Sequence, residues 1–158
     1  MYRELPPKIK IYEALGSVAD DRIEIVWLFG DEAKCYSSSL GKFYVVKYDS
    51  DQGAIMTNDN GSYRKWYLGY PAIAFLMKKR ILSYDNKFAD ALKWIKRKDI
   101  NQDFKNDFDK TAEYIHWILE QKGVNVQEFL KEVDNIFLQI QNLKLKLLWN
   151  KIKPPQWY

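Results

Sequence analysis

The sequence predicts an α+β fold: an N-terminal helix, a four-stranded antiparallel meander, and a helical C-terminal half ending in a long helix. Three observations carry this. Apolar residues recur at helical spacing before residue 20, short alternating runs separated by turn residues follow as far as Thr57, and the period returns to helical from Pro71 onward.

Pro6-Pro7 stop any earlier structure and suit a helix start, and Ile9, Tyr12, Leu15, Val18 and Ala19 then recur at helical spacing, so the first helix is expected from Lys8 to Ala19. Asp20-Asp21 is a turn. From Arg22 to Phe29, Ile23, Ile25, Trp27 and Phe29 alternate with Arg22 and Glu24, while Val26 and Leu28 leave the second face partly apolar. Gly30-Asp31 turns the chain into Glu32 to Ser38. Leu40-Gly41 turns it again into Phe43 to Tyr48, which is rich in β-branched and aromatic residues, and Asp49 to Gly53 lead into the short strand Ala54 to Thr57.

Asn58 to Ser62 close the sheet. Pro71 opens a short, mostly buried helix through Met77, followed by Lys78-Lys79-Arg80. Ser83 and Asp85 start the next helix, with Phe88, Ala91, Leu92 and Ile95 on one face and Lys93, Lys96 and Arg97 on another. A longer helix runs from Asp107 to Lys122 and stops at Gly123. The last is expected from Val126 to Lys151, where Phe129, Val133, Ile136, Ile140, Leu143 and Leu147 form a heptad seam. Residues 1–80 then make a helix, sheet and short helix, and residues 81–158 a helical region packed on them as one unit.

With 158 residues the chain has the length of one domain, and 47% apolar with 29% charged residues exclude a disordered chain. Six Trp, eleven Tyr and eight Phe exceed what a core of this size needs, so some rings are expected at the surface or at a contact. A single cysteine, Cys35, excludes an intramolecular disulfide and a zinc site built from several thiolates, and fits a reducing compartment. The first ten residues lack the apolar stretch of a signal peptide, and no uninterrupted apolar run reaches the roughly 18 residues of a spanning helix. A cytoplasmic protein without a membrane partner is expected.

Charge is unevenly distributed. Residues 78–98 hold eight basic and two acidic side chains, residues 99–140 four and nine, and residues 141–158 four and none. Lys78, Lys79, Arg80, Lys93, Lys96 and Arg97 make a candidate phosphate-binding face, or else a counter-charge to the acidic segment that follows. Tyr63-Arg64-Lys65-Trp66-Tyr67 interleaves cations with rings, the composition of a platform on which bases stack; the alternative is a lid pinned by Trp66 and Tyr67 with Arg64 and Lys65 solvated. Leu143, Leu147 and Trp149 overhang the preceding helix and form a candidate homodimer interface.

Catalytic constellations are not in evidence. His116, the single histidine, lies at the border of an apolar helical face, and Cys35 reads as a small buried hydrophobe. The loop around Gly61 fails as a calcium loop because Met56 and Tyr67 fall where acidic ligands are needed, and Asp99, Asp103, Asp107 and Asp109 read as helix-start residues. No metal or cofactor is expected.

Ser37-Ser38-Ser39-Leu40-Gly41-Lys42-Phe43-Tyr44-Val45-Val46 resembles the hairpin of a SWIM zinc-binding domain, in which a C-x-C pair and then a C-x-H pair opening an apolar helix follow. The corresponding stretches here are Ala54-Ile55-Met56 and Leu68-Gly69-Tyr70, so the resemblance, from Lys34 to Met77, implies a zinc-free relative with an apolar core in place of the metal. SWIM domains are associated with nucleic-acid and protein binding. The chain also resembles small uncharacterised archaeal proteins.

The expected function is a non-catalytic binding module that contacts a nucleic acid or an acidic protein through its basic face. The alternative is a protein-interaction or assembly subunit working through the C-terminal helix and aromatic tail.

Overall fold

The computed structural model describes residues 2–26, 32–38, 41–95, 107–148 and 152–155. Its elements are α1 (Ile9–Ala19), β1 (Ile23–Ile25), β2 (Glu32–Tyr36), β3 (Phe43–Asp49), β4 (Ala54–Thr57), a π-helical turn (Gly61–Lys65), α2 (Tyr70–Lys78), α3 (Asn86–Ala91), α4 (Phe108–Gln121), α5 (Val126–Leu143) and β5 (Lys146–Leu147). Among the described residues no helix is long and apolar enough to cross a membrane.

The first four strands form the expected antiparallel meander, with Cys35 opposite Ile23 and Tyr44, and Val46 opposite Ala33 and Thr57. Period-two alternation sets the faces: Ala33, Cys35, Tyr44 and Val46 are buried, whereas Lys34, Tyr36 and Phe43 lie on the other face. The sheet has a fifth strand, however. β5 pairs parallel to β4, Ile55 facing Leu147, and Tyr2 bridges the outer side of Lys146.

That strand takes the place of the expected end of the last helix. α5 stops at Leu143, and Lys144 turns the chain through a left-handed conformation, φ 47°. Beyond it the apolar residues change period: Leu145 and Leu147 are buried and Lys146 between them is exposed, the alternation of a strand. The seam before the stop behaves as expected, with Phe129, Val133, Ile136 and Ile140 buried and Leu143 packed against the same core. Leu143 and Leu147 are therefore covered within the chain rather than presented to a second copy; Trp149 lies outside the described residues.

α2 sits at the centre. Every residue from Pro71 to Met77 is buried, with the strands on one side, where Phe75 meets Tyr48 edge-on at 5.8 Å, and α1 on the other. Each large apolar side chain so enclosed contributes about 1.5–3 kcal/mol. α5 closes over α1 through Phe129, whose ring meets Tyr12 edge-on at 5.0 Å. The helix starts follow local chemistry: Asp85, Asp107 and Asn125 accept backbone N–H groups of the first turns of α3, α4 and α5, and Gly123, φ 78°, ends α4 where only glycine is comfortable. Residues of both halves, from Ile9 to Leu145, join one apolar cluster.

Leu147→Ala is expected to lower unfolding free energy by about 2–4 kcal/mol in urea titration, because it empties a buried site against Ile55. The light-scattering mass should stay that of the wild type; a reduced mass without lost stability would return Leu147 to an intermolecular seam.

Candidate nucleic-acid interface

Three helices end at one corner. Asp20, Lys79 and Leu92 follow the last turns of α1, α2 and α3. The Asp20-Asp21 turn draws the ends together: Asp20 Oδ1 accepts the Trp94 backbone N–H at 2.8 Å, and Asp21 Oδ1 lies 3.5 Å from Lys78 Nζ. Between them is a cleft of about 320 Å³, lined by Val18, Met77, Lys78, Arg80, Tyr84 and Asp90 among others. The last carbonyls of a helix carry partial negative charge, so cations are stabilised there. That is where Lys78, Lys79, Arg80 and Lys93 stand.

The corner is also where the backbone is forced. Of the five non-glycine residues with positive φ among the described residues, Asp21 (55°), Arg80 (61°) and Trp94 (67°) belong to it. A left-handed backbone costs an ordinary residue about 1–2 kcal/mol. α3 accordingly ends at Ala91, so Lys93 follows in a turn instead of on the helical face the sequence predicts; Lys96 and Arg97 lie outside the described residues. Trp94 is 79% exposed, with Lys93 Nζ 5.5 Å from its ring centroid, and the Arg80 guanidinium lies 5.9 Å from the Tyr84 ring.

Among the described residues Lys79, Arg80 and Lys93 make no ion pair, and Lys78–Asp21 is an exposed pair of little energetic weight. Pairing with the acidic C-terminal helices falls to other lysines: Lys8 reaches Asp134 at 2.8 Å and Lys87 reaches Glu128 at 3.9 Å.

Arg64, Lys65 and Trp66 do not join this surface. They lie at the other end of α2, about 12 Å away along a helix of this length. Arg64 and Lys65 are exposed at the end of the π-helical turn, and Trp66, φ 68°, accepts the Glu4 N–H at 3.1 Å through its carbonyl. Tyr67 bridges Glu4. The loop is thus tied to the N-terminal segment.

Neither Cys35 nor His116 is placed for nucleophilic work. Cys35 is fully buried, and burial pushes its thiol up to about 12. His116 Nε2 lies 2.7 Å from the Tyr12 hydroxyl, and burial lowers its pKa. Among the described residues no three His, Cys, Asp or Glu side chains are grouped to hold a metal.

A buried charge cluster that no local motif announces lies at the start of α2. The Asp59 carboxylate accepts the Ser62 N–H at 3.2 Å and lies against Gly69, where any Cβ would strike it. Burial pushes Asp59 above the ordinary carboxylate range, against the hydrogen bonds from Ser62 and the charge of Lys10. Burial acts against the charge on Lys10 too, but Glu13, 3.2 Å away, with Tyr67 and Asp59, holds its ammonium above the ordinary value. These residues are distant in sequence; only the Lys10-x-x-Glu13 spacing was visible in advance.

The chain belongs to the family described as "Uncharacterised conserved protein UCP014422", whose model matches residues 3–146. No curated protein and no solved structure matches it. The family model is not that of the SWIM domain and lends nothing to that likeness; Ala54, Met56 and Leu68, at the positions of missing ligands, are buried apolar side chains.

Asp59→Asn is expected to raise stability at pH 7. A carboxyl whose folded pKa lies above its unfolded value near 3.8 favours folding fully below that value and loses the contribution as pH rises through the folded pKa. Urea titrations should show the variant ahead at neutral pH and the difference vanishing near pH 3. A variant less stable at pH 7 would mean that Asp59 is held as a needed anion.

Proposed function

We propose that the chain is a non-catalytic binding module that takes a single nucleic-acid strand at the corner where α1, α2 and α3 end. Trp94 is the stacking platform, and Lys78, Lys79, Arg80 and Lys93 contact phosphates. The observation that carries this reading is Trp94 itself: a ring 79% exposed, on a left-handed backbone tied to Asp20, among cations of which three make no ion pair among the described residues. An exposed ring accepts an unstacked base, which a single strand offers and a duplex does not. Lys96, Arg97 and Lys98 follow after Ile95 in sequence and add to the positive charge. Asp20 and Asp21 offset it, so affinity is expected to come from stacking as much as from charge.

The reading of an assembly subunit has one observation in its favour, now on different residues. Tyr114 and Trp117 stack at 6.1 Å on α4, and Trp117 and Leu138 are each 55% exposed. Mass that rises with concentration and falls on Trp117→Ala would support it.

Fluorescence anisotropy with a labelled oligo-dT or oligo-U tests the first reading. Each phosphate contact adds about 0.7 to the slope of log affinity against log salt, so four contacts give a slope near −3. Trp94→Ala is expected to weaken binding about 5- to 100-fold. Lys79→Gln, Arg80→Gln and Lys93→Gln together should weaken it at least tenfold, while the loss of cations from the helix ends lowers unfolding free energy by about 1–3 kcal/mol. No binding at low salt, or equal affinity for Trp94→Ala, overturns the proposal. Equal competition by poly-glutamate would assign the corner to an acidic protein.

A further inference from the structure

We propose that the cleft between the N-terminal segment and the end of α5 binds an amphipathic monoanion, a medium-chain or aromatic carboxylate, independently of the nucleic-acid corner. The cleft measures about 420 Å³, within the usual range for small-molecule sites. Its floor is apolar: Leu68, Ile140 and Leu145 are buried core residues that also line it. Its rim carries Leu5 and Tyr2, 44% and 60% exposed, two large apolar side chains left in water beside an apolar floor.

The walls are fixed from outside the cleft, so the site does not have to be assembled on binding. The Arg3 N–H donates to the Leu145 carbonyl at 2.8 Å, Glu4 N–H donates to Trp66, and Leu68 N–H donates to Glu4. The Arg3 guanidinium is turned away, donating to the carbonyls of Ile55 and Ser62. Preorganised walls of this kind reduce the ordering cost of a ligand.

Charge selects the head group. Lys144 lines the cleft from the left-handed turn that ends α5, and neither it nor Lys146 makes an ion pair among the described residues. The described lining holds two basic side chains, Lys144 and the engaged Arg3, against one carboxylate, Glu4. The apolar body lies on Leu68, Ile140 and Leu145, and the carboxylate meets Lys144.

Titration calorimetry of the full chain with decanoate tests this, and one site per chain is expected. Lys144→Asn keeps a residue that tolerates the left-handed backbone while removing the charge, and should weaken binding at least fivefold. Gln141→Trp, at an exposed helical position in the wall, should block the cleft and abolish binding; Leu5→Asp at the exposed rim should weaken it as well, and serves if the tryptophan variant does not fold. Trp94→Ala should leave decanoate binding unchanged. No heat from decanoate, equal affinity for decanol, tighter binding of decylamine, or unchanged affinity in Lys144→Asn overturns the proposal.

Discussion

A helix buried along its whole central run leaves no face for water, so the sheet must cover one side of α2 and α1 the other, and both helix ends must be matched in charge by the protein itself. At the N-terminal end the Asp59 carboxylate sits against Gly69, where partial positive charge from the helix and the Lys10 ammonium oppose the cost of burying an acid. At the C-terminal end Lys78, Lys79 and Arg80 stand in solvent against the last carbonyls. One end is sealed and structural. The other has the same origin but remains open to an outside partner.

This origin bears on the cations of the corner. Charges that complement helix ends need no ligand to explain them, and Asp20 and Asp21 supply a nearer anion. Yet two acids at the end of α1 oppose its dipole, and the cost is offset by what Asp20 holds: the Trp94 amide, and Arg22, whose Nε lies 3.6 Å from the carboxylate and whose Nη1 donates to the Tyr36 carbonyl at 2.9 Å. A polar chain runs from β2 to an exposed indole. Helix complementarity accounts for the lysines and the arginine but not for the exposed indole, and the proposed function rests on that ring.

What was legible in the sequence was local. Strand β4 was read at its true bounds because Gly53 and Asn58 bracket it, and Asp85, Asp107 and Gly123 marked helix limits through chemistry that acts within a few residues. The fifth strand was hidden because Leu143 and Leu147 keep heptad spacing while Leu145 and Leu147 keep strand spacing, and two residues cannot decide between periods; pairing with Ile55 decided it. The basic block was visible as composition. Its shape was not, since the left-handed backbone of Trp94 depends on Asp20, far away in the chain. The Arg64–Trp66 loop has the composition of a platform, and only tertiary placement puts it at the other end of α2.

The edge of the sheet joins chain segments of extreme sequence separation: Arg3 donates to Leu145, and Lys146 donates to Gly53. The meander pairs strands that are near neighbours in sequence and can form early, whereas this edge waits for the last helix to be in place and for the chain to close a very long loop. Until then β4 presents the unpaired backbone of Ile55 to any other strand in solution. Refolding yield should therefore fall as protein concentration rises, with intermolecular strand pairing competing for the position that β5 occupies in the native state.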